Sequence, residues 1–266
     1  MSGDVIKKYL GIAIYVIYAI FILAWGIYLQ VIPNKETIWN DAYNVGSSSL
    51  HLLGAIVGFF FIKKQAANAI FRRTLYYFVL AAFFWGIADM IWAYYNIVLH
   101  VEVPFPSIAD AFYIFMIMLI CWGCWRLMEY SDAPITSRNI FESFFFILVG
   151  YGVVYFVFKS IPIASGFTLV EAITNFTYPM LDIFMFILAF ITYKIVEGRA
   201  RRSMMLLLIS IIFMAIGDYA FTYGELLGTY WNGGLADLMF VASSILLFFF
   251  ITSCCRGPFE LQKKLK

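Results

Sequence analysis

The sequence predicts an all-α integral membrane protein with eight transmembrane helices, and three observations predict it. Of 266 residues, 64% are hydrophobic and 13% charged, with a mean hydropathy of +0.88, too little polar surface for a water-soluble domain. Apolar runs of about 20 residues, the length that crosses a hydrocarbon core, recur along the whole chain. Basic residues collect in alternate connections, as they do in chains whose cytoplasmic loops are positive.

The elements follow in order. The first apolar run, 10–32, is longer than a signal-peptide core and lacks a small-residue cleavage site, so it reads as a retained helix. Further spans are predicted at 45–63, 74–98, 107–128, 139–158, 172–195, 203–227 and 234–254. Only Pro33 to Asn44 and Lys159 to Val170 leave room for external structure. Lys7 and Lys8 precede the first span; Lys63, Lys64, Arg72 and Arg73 join the second to the third. Arg126 and Arg138 flank the next such connection, Arg199, Arg201 and Arg202 the one after, and Arg256, Lys263, Lys264 and Lys266 end the chain. Alternate loops carry little beyond Lys35 and Lys159, which places both termini in the cytoplasm. Twenty per cent aromatic residues suit interfacial belts and bundle packing. Cys121 and Cys124, in an apolar helix without a nearby histidine, read as small buried hydrophobes rather than a redox or metal pair, and Cys254 and Cys255 end the last span.

One acidic pattern occurs twice. Asp89 and Asp218 lie inside apolar runs 129 residues apart, and Asp110 and Asp237 open the next runs 127 apart. His51 has its counterpart in Asp182, 131 residues on, and Asn96 and Glu225 each follow their aspartate by seven residues on the same helical face. A shared period predicts two four-helix repeats, 1–132 and 133–266. With four helices each, they point the same way across the membrane and are not inverted.

A carboxylate deep in a bilayer costs a few kcal/mol or more, so these positions are candidates for a functional site. Helix direction puts Asp89, Asp218, Asp182, His51, Asp110 and Asp237 in the outer half, which predicts an acidic, aromatic-lined cavity open to the outside. Tyr94, Tyr223, Asn96 and Glu225 complete the candidate ligand-binding set. Ser107-Ile108-Ala109-Asp110 also reads as a capping box, and Asp237, just after Asn232-Gly233-Gly234, can cap its helix in the same way. A structural hydrogen-bond network with Tyr94, Tyr223 or Tyr178 is the alternative role for the buried acids.

Several chemistries are excluded or weakened. A retinal Schiff base needs a lysine within a helix, and a structural zinc site needs clustered Cys and His; both are absent. No nucleophile–base pair and no glycine-rich phosphate loop occurs, so no catalytic residue is assigned. Two facing aspartates would suit an intramembrane aspartyl protease, with Asp89 and Asp218 as symmetric candidates, but the flanking sequences do not match. A hard-cation site of oxygen ligands stays open, as do a small-solute or proton- or ion-coupled carrier and an enzyme acting on lipid.

The segment Pro104-Phe105-Pro106-Ser107-Ile108-Ala109-Asp110-Ala111-Phe112-Tyr113, after Asp89 and its aromatics, resembles the P-x-P-S-x-A-D-x-x-Y stretch of multi-helix membrane sensor modules. Those modules precede GGDEF-type diguanylate cyclase and histidine kinase domains. Gly217-Asp218 through Tyr230, Gly234 and Ala236-Asp237 resembles their later half. The resemblance implies an input module that senses a ligand or a membrane state. No output domain follows the last span here, which implies a cytoplasmic or membrane signalling partner. The expected setting is a prokaryotic plasma membrane, with the lipid bilayer as partner and no nucleic acid. No cofactor or metal is assigned.

Overall fold

The computed structural model describes residues 3–35, 37–65, 69–101, 103–104, 106–131, 134–159 and 169–254. Eight helices long and apolar enough to cross a membrane account for nearly all of it: α1 (Gly3–Val31), α2 (Ile38–Gln65), α3 (Ala69–Tyr94), α4 (Ile108–Ser131), α5 (Ser137–Phe158), α6 (Leu169–Ile195), α7 (Gly198–Leu227) and α8 (Leu235–Cys254). Among the described residues there is no strand. This is the form lipid demands, because an unpaired backbone N–H or C=O has no water to turn to there. The chain is therefore an all-helical, multi-pass membrane protein. Cys255, the basic side chains of Lys7, Lys8, Lys64 and Arg199, the basic C-terminal tail and most of the connection predicted from Lys159 to Val170 lie outside the described residues.

The helices run past the predicted apolar cores wherever a polar cap starts them earlier. α2 begins at Ile38, not at residue 45, because Thr37 and Asn40 form a start signal: the Thr37 N–H and hydroxyl both donate to Asn40 Oδ1, at 3.2 and 2.6 Å. The predicted external segment Pro33 to Asn44 is thus half helical, and Asn40, Asp41 and Asn44 ride on α2. α5 starts on a capping box between Thr136 and Asn139. α3 continues through a π-helical turn, Tyr95–Leu99, and stops at His100, whose φ of 51° is left-handed; α7 stops at Gly228, φ 64°.

Packing sorts the helices into a ring and two outriders. α2 packs on α3, α3 on α4, α4 on α6, α6 on α7, α7 on α8, and α8 back on α2. α1 leans on α2 and α8, and α5 on α6. Their spans are the least covered, 22% and 17% buried, and they present Ile17, Ile20, Phe141 and Phe145 outward to lipid. Toward the end of the bundle where α2 meets α3, the ring is filled solidly. Phe78 and Phe250 meet edge to face at 4.8 Å, among Leu75, Leu127, Leu207 and Leu247. Phe61 belongs to this plug, whereas Phe59, Phe60, Phe144 and Phe145 face outward.

Cys121 and Cys124 are buried and unbonded, one helical turn apart in this core, as small hydrophobes would be. In a Cys255→Ser background, neither they nor Cys254 should react with a membrane-permeant maleimide until the protein is unfolded in SDS. Labelling of the folded protein at the unfolded rate would contradict the packing.

Candidate functional site

The opposite end of the ring is hollow. A cavity of about 80 Å³ lies on its axis, and every ring helix contributes to its wall. Apart from α6, which supplies one residue, each helix does so through residues spaced three, four or seven apart, the spacing that shares one face. α2 supplies Asn44, Ser47 and His51; α3 supplies Trp85, Asp89 and Trp92; α7 supplies Met214, Asp218 and Phe221. Asp110 and Tyr113 enter from α4, Tyr178 from α6, and Asp237 and Phe240 from α8. Asp89, Asp110, Asp218, Asp237 and His51, picked from sequence alone, thus meet in one chamber. Among the described residues, no lysine or arginine lines it.

Three tyrosines hold the acids in place. Tyr113 donates to Asp89 Oδ1 at 2.7 Å, Tyr178 donates to Asp110 Oδ1 at 2.6 Å, and Tyr230 donates to Asp237 at 3.3 Å. Asp110 and Asp237 combine both roles foreseen for them. Oδ2 of Asp110 accepts the Ser107 N–H at 2.6 Å, and Oδ2 of Asp237 accepts those of Gly233 and Gly234 at 2.8 and 3.1 Å. One carboxylate oxygen caps the helix, which leaves the rest of the group to the chamber.

His51 is 1% exposed and packs its ring on Trp85, with centroids 4.4 Å apart. Its Nδ1 lies 2.7 Å from the Ser47 carbonyl and 3.2 Å from Asp89 Oδ2, so the Nδ1–H points to two acceptors and fixes the tautomer. Nε2 is then an acceptor, and it has no partner within the protein. The amide Nδ2 of Asn44, two turns along the same face, is also buried and unpaired.

The remaining candidates are placed differently. Asp182 is 2% exposed and does not line the chamber. Neither of its oxygens meets a donor; they face the carboxyl of Asp218, and two acids bond only through a proton that one of them keeps. The facing aspartates are therefore Asp182 and Asp218, not Asp89 and Asp218, and one of the two is sealed from the chamber. Asn96 and Glu225 share the acids' helical faces but sit two turns further out, in a separate vestibule of about 490 Å³. Tyr94 and Tyr223 line neither space and are exposed on the bundle's flank. Five residues past an aspartate, a helical side chain has turned by about 140°, which carries it off the inner face.

Trp92 and Tyr230 belong to both walls, vestibule and chamber. With Phe221 they form an edge-on triad, centroids 4.8–6.2 Å apart, and both turn polar atoms to Asn232 Oδ1 at 3.4 Å. Asn232 is itself moored, accepting from Asn40 Nδ2 and donating to Asp41 Oδ1, each at 2.9 Å. This layer stands between the chamber and the vestibule. Among the described residues, no group of three or more His, Cys, Asp or Glu is placed to hold a metal ion. Comparison with protein-family models, curated proteins and solved structures gave no match to this chain.

Proposed function

We propose that this protein is a membrane sensor or binding protein that takes a small ligand or ion from the outer side into the acidic chamber. The observation that carries this reading is the convergence of four aspartates and a half-satisfied histidine on one cavity that, among the described residues, no lysine or arginine lines. So much uncompensated acid within a bilayer is costly, and a ligand that supplies hydrogen bonds or positive charge offsets that cost. The volume suits something small, since about 80 Å³ is the liquid volume of roughly three waters at about 30 Å³ each.

The orientation follows from the basic loops, with both termini cytoplasmic and the vestibule outside. Duplication of a four-helix unit, 1–132 and 133–266, is supported by paired detail. Asp110 and Asp237 accept the backbone N–H three residues earlier in the same manner, and the left-handed ends of α3 and α7, His100 and Gly228, are 128 residues apart. Cross-helix pairing repeats too, His51 with Asp89 and Asp182 with Asp218. The plug beneath the chamber supports a binder over a carrier, because it is built mainly of apolar side chains, and Ser210 and Ser243 beside it bond each other. Signalling then passes to a cytoplasmic or membrane partner, as the likeness to sensor modules of prokaryotic plasma membranes implies.

Native mass spectrometry of the protein extracted from its own membranes tests this. The wild type should release a small bound species that an Asp89→Asn/Asp218→Asn variant, folded to the same extent, does not carry. Identical spectra from both proteins, with no species in either, would sink the proposal.

A further inference from the structure

The chamber's walls also indicate what kind of ligand fits. We infer that the ligand is a small organic ammonium that carries an oxygen acceptor, an amino alcohol in the simplest case; this rests on the binding role proposed above.

The acids define the sign of the ligand, and their arrangement argues against a bare inorganic ion. Calcium-like cations need six to eight oxygens converging at 2.3–2.6 Å. Here each of Asp89, Asp110 and Asp237 is drawn toward its own tyrosine, on its own part of the wall. No three acidic or histidine side chains among the described residues come together around one point. The same wall carries the aromatic side chains of Trp85, Trp92, Phe221 and Phe240, a residue type that suits an alkylammonium through cation–π attraction and its carbon through apolar contact.

The two unpaired groups supply the rest of the pattern. Nε2 of His51, a chamber residue, is buried and unpaired, and in the neutral ring whose Nδ1 carries the proton it accepts, so it asks for an N–H or O–H from the ligand. Nδ2 of Asn44 is buried, lines the same chamber and can only donate, so it asks for an oxygen. They sit seven residues apart on α2, about 10 Å along the helix axis. One end of the ligand is therefore a cationic donor, and the other an acceptor. Leaving either buried group unmet costs more than pairing it gains, which makes the pair selective.

Tryptophan fluorescence and calorimetry on the full-length protein in nanodiscs can decide, because Trp85 and Trp92 line the chamber. The probes are ethanolamine, propylamine, ethylene glycol, glycolate, sodium and calcium. Ethanolamine should bind saturably and quench the tryptophans, with propylamine about tenfold weaker. His51→Gln should weaken ethanolamine about tenfold or more. Asn44→Ala breaks no hydrogen bond of Nδ2 in the folded protein and so should fold normally. It should weaken ethanolamine severalfold and leave propylamine unchanged. Binding of glycolate, ethylene glycol or an inorganic cation with no response to either amine would overturn the ammonium assignment and leave the binding role intact. Equal binding of ethanolamine and propylamine, insensitive to Asn44→Ala, would overturn the oxygen requirement. No saturable response to any probe, together with a ligand-free native protein, would overturn both this inference and the role on which it rests.

Discussion

Gly233→Val should unfold the chamber end of the bundle at a temperature about 6–12 °C below the wild type, the shift that roughly 3 kcal/mol produces in a chain of this size. Gly233 has a φ of 83°, where a β-branched residue is strained by about 1–2 kcal/mol. A Cβ there would lie 2.5 Å from Cδ1 of Leu29, which is fully buried and has little room to retreat. The backbone around it is committed as well. Its N–H donates to Asp237 Oδ2 at 2.8 Å, and its carbonyl accepts from Gln30 Nε2 at 2.7 Å. Displacing this residue moves Asp237, Asn232 and Tyr230 together, so the layer between chamber and vestibule and one acid of the chamber are disturbed with it. Gly152→Val is the control: nothing lies within 4 Å of its Cβ position, and only the small helix-propensity change should register. A thermal-unfolding series that gave both variants the same midpoint would contradict this account.

Asp182→Asn should do the reverse and stabilise the protein by about 1–3 kcal/mol, the cost of an unmet buried polar group. In the wild type both oxygens of Asp182 are buried with no donor in reach, and the charge nearest them is the carboxyl of Asp218. An amide in the same volume donates to Asp218 outright. Because Asp182 lies outside the chamber wall, ligand retention should not change. Asp218→Asn removes an acid from the chamber itself, so it should weaken retention whatever it does to stability. Thermal unfolding and native mass spectrometry on the two variants separate these outcomes. A destabilised Asp182→Asn that also loses its ligand would move Asp182 back among the binding residues.

The spans and the main acids were legible in the sequence, because lipid leaves few options for either. A chain must satisfy its backbone within each helix, and a carboxylate inside such a helix stands out against an apolar background. The box at Ser107 to Asp110 was legible because its spacing encodes its geometry. The early start of α2 was not, since Thr37 and Asn40 lie in a stretch too polar to count as a span. The tyrosines that hold the acids were harder still. Tyr178 was among the partners expected for the buried acids, though the acid it holds is Asp110; Tyr113 and Tyr230 reach their aspartates from another helix and a loop, and a sequence with 18 tyrosines gives no sign that they will. Tyr94 and Tyr223 are nearer in sequence and turned away. Asp182 and His51 share a register yet differ in access, which depends on how α6 and α2 sit in the ring.

The plug of Phe78 and Phe250 has an electrical meaning. Phe78 precedes Asp89 by eleven residues on α3, about 16 Å along the axis and roughly half of a 30 Å hydrocarbon core. A transmembrane voltage falls mostly across the dry, low-dielectric part of a protein, here the apolar layer. A unit charge crossing the whole membrane exchanges about 2.3 kcal/mol per 100 mV, and one that halts at the acids crosses only the outer fraction of that drop. In the proposed orientation, occupancy of the chamber would then follow outside concentration closely and membrane potential weakly.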